Sequence, residues 1–218
     1  MNKKLSPCYL FLVISPLFFG CGGTEKKETK NNASASSTSL HIGDDKYLAI
    51  DTKVSAISWK GSSAMGSHTG YVYISQGELR IENGQLADGT VEVDMSTIEG
   101  DDHRSDNNLI NHLKDPDFFD VKKFPFSTIA ITRVTSINEE AKEITGNLTI
   151  KAITHPVSFP AKLEVKDGIV RANARLVIDR TKWNVRYNSG KFFDNLKDQV
   201  ISDSIEFHIN IVAKNKVN

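Results

Sequence analysis

The sequence predicts an all-β protein, an antiparallel β-barrel of about eight strands with one amphipathic helix. Three observations lead to this prediction. Polar and apolar residues alternate through many short segments, turn-forming dipeptides separate several of them, and one segment alone has a clear helical pattern. Strands with one polar and one apolar face are typical of antiparallel sheets, and many of them at hairpin spacing indicate a barrel or a sandwich.

The alternating segments are the predicted strands, and they recur from near residue 46 to residue 214. They comprise residues 54–62, 68–74, 78–83, 91–95, 126–133, 144–151, 157–165, 170–179 and 205–211. Four dipeptides are the predicted turns, because their residue types tolerate the backbone conformations of tight turns: Asn83-Gly84, Asp88-Gly89, Asp167-Gly168 and Ser189-Gly190.

The helical segment lies within residues 106–126, which read DNNLINHLKDPDFFDVKKFPF. Asp106 or Asn107 can cap a helix, and Pro116 ends it. The helix then has one apolar stripe, which is formed by Leu109, Ile110 and Leu113. Three aromatic residues come after the helix: Phe118, Phe119 and Phe124. So short a helix needs a hydrophobic surface from the rest of the chain. It either plugs the end of a β-core or covers a cavity as a lid.

Small residues on the predicted inward faces favour a hollow barrel over a filled sandwich. Ala172 and Ala174 lie on the apolar face of one strand, and Gly146 lies on that of another. An eight-stranded barrel is just wide enough to hold one small ligand, unless aromatic side chains from elsewhere fill the space. A membrane-spanning barrel is a poor alternative. One face of the strands repeatedly carries Arg, Lys, Glu and Asp, whereas a lipid-facing band is apolar.

The inward-facing residues of the strands predict the lining of this cavity. The predicted ligand-contacting residues on strands are Ile144, Leu148, Ile150, Phe159, Leu163, Ala172, Ala174, Leu176, Phe207 and Ile209. Leu113, Phe118 and Phe119 are predicted to close the mouth. These sets follow from alternation alone, and a one-residue slip of any strand would turn its set outward.

Residues 1–20 have the pattern of a signal peptide. Lys3 and Lys4 precede an apolar stretch at residues 9–19, and Gly20-Cys21 follows it. The Gly-Cys junction resembles the bacterial lipoprotein processing site, although Phe18 stands where Leu is commoner. We therefore expect cleavage before Cys21 and lipidation of that cysteine, with an ordinary signal peptide and an incidental cysteine as the alternative.

Residues 21–45 predict a flexible tether, because they contain Lys-Glu runs and a Ser- and Asn-rich stretch without apolar periodicity. Residues 46–214 are the predicted folded domain. Together these assignments predict an exported, membrane-anchored lipoprotein of the bacterial cell envelope that faces the periplasm or the cell surface.

Charge and motif content argue against several classes of function. The chain has 27 basic and 27 acidic residues, and this balance argues against a nucleic-acid-binding protein. It contains no phosphate-binding Gly loop, dinucleotide fingerprint, nucleophile elbow or zinc-type His/Cys spacing. Residues 99–106 gather four carboxylates and His103, which we interpret as a solvated connection and not a metal site. We predict a protein that is not an enzyme and holds no cofactor.

Four segments together resemble the YceI-like family of bacterial polyisoprenoid-binding proteins: residues 66–70, 112–126, 144–157 and 178–185. HLKDPDFFDVKKFPF is the most specific piece, and ITGNLTIKAITHPVSF resembles the family's strand–turn–strand unit. IDRTKWNV resembles its Arg-centred segment, with Trp183-Asn184 where an aromatic-Gly pair is usual. The similarity covers residues 46–214.

The resemblance implies a lipocalin-like antiparallel barrel with the helix beside or across it, in an exported or envelope-associated protein. It also implies that a long isoprenoid or similar amphiphile lies inside the barrel. We therefore predict a lipid-binding protein that holds a polyisoprenoid, a quinone tail or a similar amphiphile such as a fatty acyl chain.

Two alternative functions remain open at this stage. One is an enzyme or redox accessory acting on such a lipid, with His103, His112, Asp101 and Asp102 as candidate residues. The other is a structural or partner-binding envelope domain with a packed core. The predicted partners are the amphiphile and, through lipidated Cys21, a membrane. No nucleic acid is expected, and the sequence leaves open whether two barrels form a homodimer.

Overall fold

The computed structural model describes residues 46–101 and 107–215. Within them it has nine β-strands: β1 Lys46–Ile50, β2 Ala56–Ser63, β3 Gly66–Glu82, β4 Gln85–Gly100, β5 Phe126–Ser136, β6 Ala141–Ile150, β7 Ile153–Lys166, β8 Ile169–Asp179 and β9 Ser204–Lys214. The helix α1 is Asn107–Lys114, and short 3-10 turns occupy Arg180–Trp183 and Lys197–Gln199. None of the described helices is long and apolar enough to cross a membrane.

The strands form one antiparallel sheet that closes into a barrel. The hydrogen-bonded order is β1-β3-β2-β9-β8-β7-β6-β5-β4, and pairing of β3 with β4 closes the sheet on itself. Both β1 and β2 pair with β3 and with β9, so these two short strands share one position in the wall. The described residues therefore form an antiparallel barrel of eight strand positions with one helix, which confirms the predicted fold class.

The strand position shared by β1 and β2 is interrupted at residues 51–55. The hydroxyl of Ser55 replaces part of the ladder there, since it donates to the carbonyl oxygen of Val212 at 3.3 Å and accepts from the Val212 N–H at 3.0 Å. The Asp51 N–H also donates to the Val212 carbonyl, at 2.8 Å. The sequence analysis assigned no strand to residues 46–50, so β1 is an addition to the predicted layout.

The β3–β4 hairpin differs from the prediction in two respects. Residues 68–74 and 78–83 were expected as separate strands, but they belong to the single 17-residue strand β3. Asp88-Gly89 was expected as a turn, but it lies inside β4, where Gly89 pairs with Leu79. A Cβ at Gly89 would lie 2.7 Å from the carbonyl oxygen of Glu78, so this glycine serves close strand approach and not chain reversal.

Two of the other predicted turns are two-residue hairpin turns with positive φ. Asn83 and Gly84 have φ of 51° and 76°, and Asp167 and Gly168 have 52° and 74°. The turn between β6 and β7 is Lys151-Ala152, with φ of 50° and 58°, although neither residue is a glycine. No local pattern marks this turn in the sequence, because its residue types do not favour the left-handed region.

The barrel has two different ends. The end that we call the mouth is formed by the β2–β3 hairpin, by α1 with residues 115–125, and by residues 184–203, which we call the mouth strap. The closed end is formed by the β3–β4, β5–β6 and β7–β8 turns together with the start of β1 and the end of β9. Leu48, Val170 and Ala213 are buried toward the closed end.

Candidate functional site

The barrel encloses a cavity of about 440 Å³. This volume lies in the range of small-molecule sites, which is roughly 300–1,000 Å³. The polar side chains on its wall come from the mouth half: Ser62, Ser63, His68, Ser127, Thr128, Arg180, Asn188, Asp198, Gln199 and Ser202. Toward the closed end the described wall is apolar. The cavity therefore fits a hydrocarbon chain that points inward from a more polar group at the mouth.

The structure places all thirteen residues that the sequence predicted as ligand contacts on the wall of this cavity. They are Leu113, Phe118, Phe119, Ile144, Leu148, Ile150, Phe159, Leu163, Ala172, Ala174, Leu176, Phe207 and Ile209. Ala172 and Ala174 leave space at the cavity, as expected from their size. Contact between these residues and a ligand stays a prediction.

The structure contradicts the prediction that Gly146 leaves open volume inside the barrel. It was expected to leave open volume in the barrel, but a Cβ at this position would lie 2.8 Å from the carbonyl oxygen of Ala130. Gly146 therefore allows β5 and β6 to approach closely and contributes no space to the cavity.

The helix and the aromatic residues that follow it form part of the mouth. Leu109 and Leu113 lie on the cavity wall, beside the buried rings of Phe118 and Phe119. The Nζ of Lys151 donates hydrogen bonds to the carbonyl oxygens of Pro116 and Phe118, at 3.2 and 2.7 Å. This contact fixes the aromatic segment to the β6–β7 turn. Burial lowers the pKa of the Lys151 ammonium, and the nearby Asp120 and Asp117 oppose this effect.

His112 connects α1 to the mouth strap. Its ring packs edge-on against Phe118 and against Tyr187, at centroid distances of 5.2 and 4.4 Å. Phe124, the third aromatic residue of the predicted group, does not lie on the cavity wall, and the Nζ of Lys123 is 5.1 Å from its ring centroid.

Arg180 is a buried cation beneath the mouth, with 1% of its surface exposed. Its Nε donates to the carbonyl oxygen of Ser202 at 2.9 Å, and Nη1 and Nη2 donate to those of Val185 and Ile201 at 2.7 and 3.0 Å. Its guanidinium carbon lies 5.7 Å from the centroid of the Phe118 ring. Burial lowers the pKa of this guanidinium, while Asp203 and Asp179 raise it. Arg180 thus joins both ends of the mouth strap to the aromatic segment.

Asn184 stands where the resembled family segment usually has a glycine, and its backbone is left-handed. Asn184 has φ of 59° and ψ of 27°, in the left-handed region that asparagine tolerates better than most residues. The Trp183 ring is buried, and its Nε1 donates to the carbonyl oxygen of Leu148 at 3.1 Å. The replacement of glycine by asparagine therefore leaves the local turn intact.

Sequence reasoning missed several wall residues. Trp59 lies on the cavity wall in β2, and Val72, Leu79, Val91, Val93 and Met95 lie on it in β3 and β4. Strands were predicted at residues 54–62, 68–74, 78–83 and 91–95, but their inward-facing residues were not included in the predicted lining. Alternation marks them as it marks the others, because Ile57 and Trp59 alternate with Ser58 and Lys60. Alternation does not predict the burial of Arg180, since a charged residue at the end of a strand is normally exposed. The signal at this position is the resemblance of residues 178–185 to an Arg-centred segment.

The four candidate residues of the enzyme alternative are not brought into one described group. His103 and Asp102 lie outside the described residues. Asp101 is exposed, and its N–H donates to the carbonyl oxygen of Thr69 at 3.0 Å, whereas His112 packs between two aromatic rings. In the part of the chain that the structure describes, no three His, Cys, Asp or Glu side chains are grouped to hold a metal ion.

Comparison with known proteins gives a consistent family assignment. The family model of the YceI-like domain matches residues 48–213. A UPF0312 protein of Shewanella denitrificans is 30% identical over 118 residues, which are 51% of this chain and 59% of the relative. A UPF0312 protein of Pseudomonas putida strain W619 is 30% identical over 101 residues, which are 44% of this chain and 52% of the relative. The chain thus spans about half the length of these relatives.

Solved structures show the same fold. BcnA of Burkholderia cenocepacia is 19% identical with a TM-score of 0.64, and the match covers 76% of this chain and 99% of that chain. A domain from Saccharophagus degradans, described as a polyisoprenoid binding domain implicated in plant cell wall breakdown, is 9% identical with a TM-score of 0.57. That match covers 77% of this chain and 97% of the other.

Proposed function

The chain belongs to the YceI-like family, and we propose that it is a cell-envelope lipid-binding protein. It holds a polyisoprenoid, a quinone tail or a similar amphiphile inside the barrel, with the chain toward the closed end and the polar group at the mouth. The observation that carries this proposal is the distribution of polarity on the cavity wall, which is polar near the mouth and apolar beyond it. The description of the Saccharophagus degradans domain as polyisoprenoid binding supports the choice of a polyisoprenoid.

The binding energy in this proposal comes from burial of the chain. Each CH2 group removed from water contributes about 0.8 kcal/mol, so one isoprene unit contributes a few kcal/mol before the cost of ordering is subtracted. Most of the cavity wall belongs to hydrogen-bonded strands, so binding requires little reorganisation of the protein. Binding is therefore expected to strengthen with chain length until the available space is filled.

The direct test is mass spectrometry of lipid released by denaturing the protein after purification from its own cell envelope. We expect one isoprenoid or acyl species at near one-to-one stoichiometry. A protein that carries no lipid and takes up none when prenyl alcohols or fatty acids are supplied would contradict the proposal.

Two tryptophan variants of β8 test whether the cavity is the binding site. Ala174→Trp places a large ring in the cavity and should strongly reduce uptake, because Ala174 lies on the wall. Val177→Trp is the matched control, since Val177 lies three residues along the same strand with 46% of its surface exposed. Equal uptake by both variants would count against β8 as part of the binding site.

The envelope location in this proposal is supported by the sequence of residues 1–45, which lie outside the described residues. A signal peptide with lipidation at Cys21 would bring the barrel next to the bilayer in which long isoprenoids dissolve. We further propose that the protein binds its lipid without transforming it. The apolar character of the inner wall supports this, because acid–base or nucleophilic chemistry needs polar groups within reach of the substrate.

A further inference from the structure

A second, smaller cavity of about 190 Å³ lies at the closed end of the barrel, directly beyond the main cavity. It is bounded by the start of β4 and by parts of β5, β6 and β7. Leu86 and Leu163 belong to the walls of both cavities. These two side chains therefore stand between the two spaces, and we call them the constriction.

The barrel wall is incomplete beside this second cavity. The described ladder between β4 and β5 runs from the pair Asp94–Phe126 to the pair Gly89–Ile131. A register shift in the β5–β6 ladder follows at once, between Ile131 and Arg133. Because such irregularities bend a strand, β5 diverges from β4 beyond this point. Residues 132–136 and 85–88 thus border the second cavity without a ladder between them.

The lining of the second cavity is part apolar and part polar. Val134 and Val165 supply apolar surface, and the Nζ of Lys142 donates to the Ser136 hydroxyl at 2.8 Å. A Cβ built on Gly84, at the edge of this cavity, would have no atom within 4 Å, so the space is open there. Val134 is half-buried and Val165 is 36% exposed, so the end of a hydrocarbon chain that reaches them would cover apolar surface that is otherwise open to water.

We propose that the second cavity is a chain-end subsite. A ligand longer than the main cavity passes between Leu86 and Leu163 and places its terminal isoprene or methylene units beside Val134 and Val165. This inference rests on the proposed function and specifies its ligand: a prenyl or acyl chain too long for the main cavity alone.

The test is the dependence of affinity on chain length in the full-length protein. Geraniol, farnesol, geranylgeraniol and longer prenyl alcohols are compared by displacement of a fluorescent prenyl probe. In the wild type, each added isoprene unit should raise the affinity by about tenfold or more until both cavities are filled.

Two variants block the subsite from different sides. Leu163→Trp fills the constriction, and Val134→Trp fills the second cavity without touching the wall of the main one. Val134→Trp should bind the shortest alcohols as the wild type does, because Val134 does not lie on the main cavity wall. In both variants the affinity should stop rising at a shorter chain than in the wild type. Ile137→Trp is the control, because Ile137 is exposed and lies beyond the end of β5.

The possible results separate this inference from the proposed function. A shorter plateau in either blocking variant, with Ile137→Trp behaving as the wild type, supports the subsite. The same length dependence in all four proteins overturns the subsite and leaves the proposed function standing. Failure of the wild type to bind any prenyl or acyl chain contradicts the proposed function itself and removes the subsite with it.

Discussion

At the scale of single residues, Arg180 is the one charged residue of the described chain that is buried. It is charged and buried, and its guanidinium donates to three carbonyl oxygens that come from two separate parts of the mouth strap. Asp203 is close by, with Oδ1 at 3.6 Å from Nη2. Removal of the guanidinium would leave three largely buried carbonyl oxygens without this donor, and it would leave the Asp203 carboxylate with Lys191 as its remaining nearby cation.

Arg180→Met should therefore lower the free energy of unfolding by roughly 3–5 kcal/mol, the usual cost of removing one partner from a buried charged network. Arg180→Lys should also destabilise, because an ammonium does not reproduce the planar arrangement of donors. Urea unfolding measures both effects.

Arg175→Met is the control for the Arg180 variants. Arg175 lies on β8, the strand that leads into the 3-10 turn of Arg180, and it pairs with Glu206. Its side chain is largely exposed, so its loss should change stability little. Equal stability of the Arg180→Met and Arg175→Met variants would show that the buried network contributes nothing measurable.

At the scale of elements, ion pairs of Lys191 connect the middle of the mouth strap to the end of β8 and to the last residue of the strap before β9. The Nζ of Lys191 lies 2.7 Å from Oδ2 of Asp179, at the end of β8, and 3.3 Å from Oδ2 of Asp203, just before β9. Burial raises the pKa of Asp179, but hydrogen bonds from Lys191 and from Thr181 outweigh it and hold that pKa at about 2, below the usual 3.8. The strap is thus attached most firmly when Asp179 is ionised.

This depressed pKa predicts how stability depends on pH. The contribution of Asp179 is fully present above its unfolded-state pKa of 3.8 and is lost as the pH falls toward about 2. Because the group is partly exposed, we expect this contribution to be on the order of 1–2 kcal/mol.

Asp179→Asn should accordingly flatten the loss of stability between about pH 4 and pH 2, as measured by urea unfolding at a series of pH values. Asp194→Asn, which changes an exposed carboxylate of the same strap, is the control. An acid profile of Asp179→Asn that overlays the wild type would contradict the role of Asp179 in holding the strap.

Local sequence signals were enough to locate the helix, but not to decide its role in the barrel. The sequence located it correctly, because capping, an apolar stripe and Pro116 are local signals. Whether it plugs a core or borders a cavity depends on what the strands leave open. The structure places Leu109 and Leu113 on the cavity wall at the mouth, which agrees with the lid interpretation.

At the scale of the whole molecule, the sequence of residues 1–21 predicts attachment to a membrane. A lipid on Cys21 contributes about 0.8 kcal/mol per buried CH2, enough in sum for stable anchoring when more than one chain is attached. We expect the wild type in the membrane fraction of cells and the Cys21→Ser variant outside it. Cys8→Ser is the control, because Cys8 lies in the predicted signal peptide. Membrane attachment of Cys21→Ser equal to that of the wild type would contradict lipidation at this site.

Local sequence pattern was enough to assign which side chains face the cavity. Alternation with period two leaves a strand only two ways to face, and burial of the apolar set selects one of them. This is why residues as far apart as Ile144, Ala174 and Phe207 all lie on the wall as predicted. The strand and helix types follow equally from local pattern.

Pairing between distant parts of the chain set the features that the sequence did not predict. The pairing of β2 with β9, the wall position shared by β1 and β2, and the burial of Arg180 under carbonyls of residues 201 and 202 are of this kind. The same holds for Gly89, which serves strand approach and not a turn, and for the position of Leu86 and Leu163 on the walls of both cavities. Local sequence does not predict these contacts, because each depends on which strand lies opposite and on the register between the two strands.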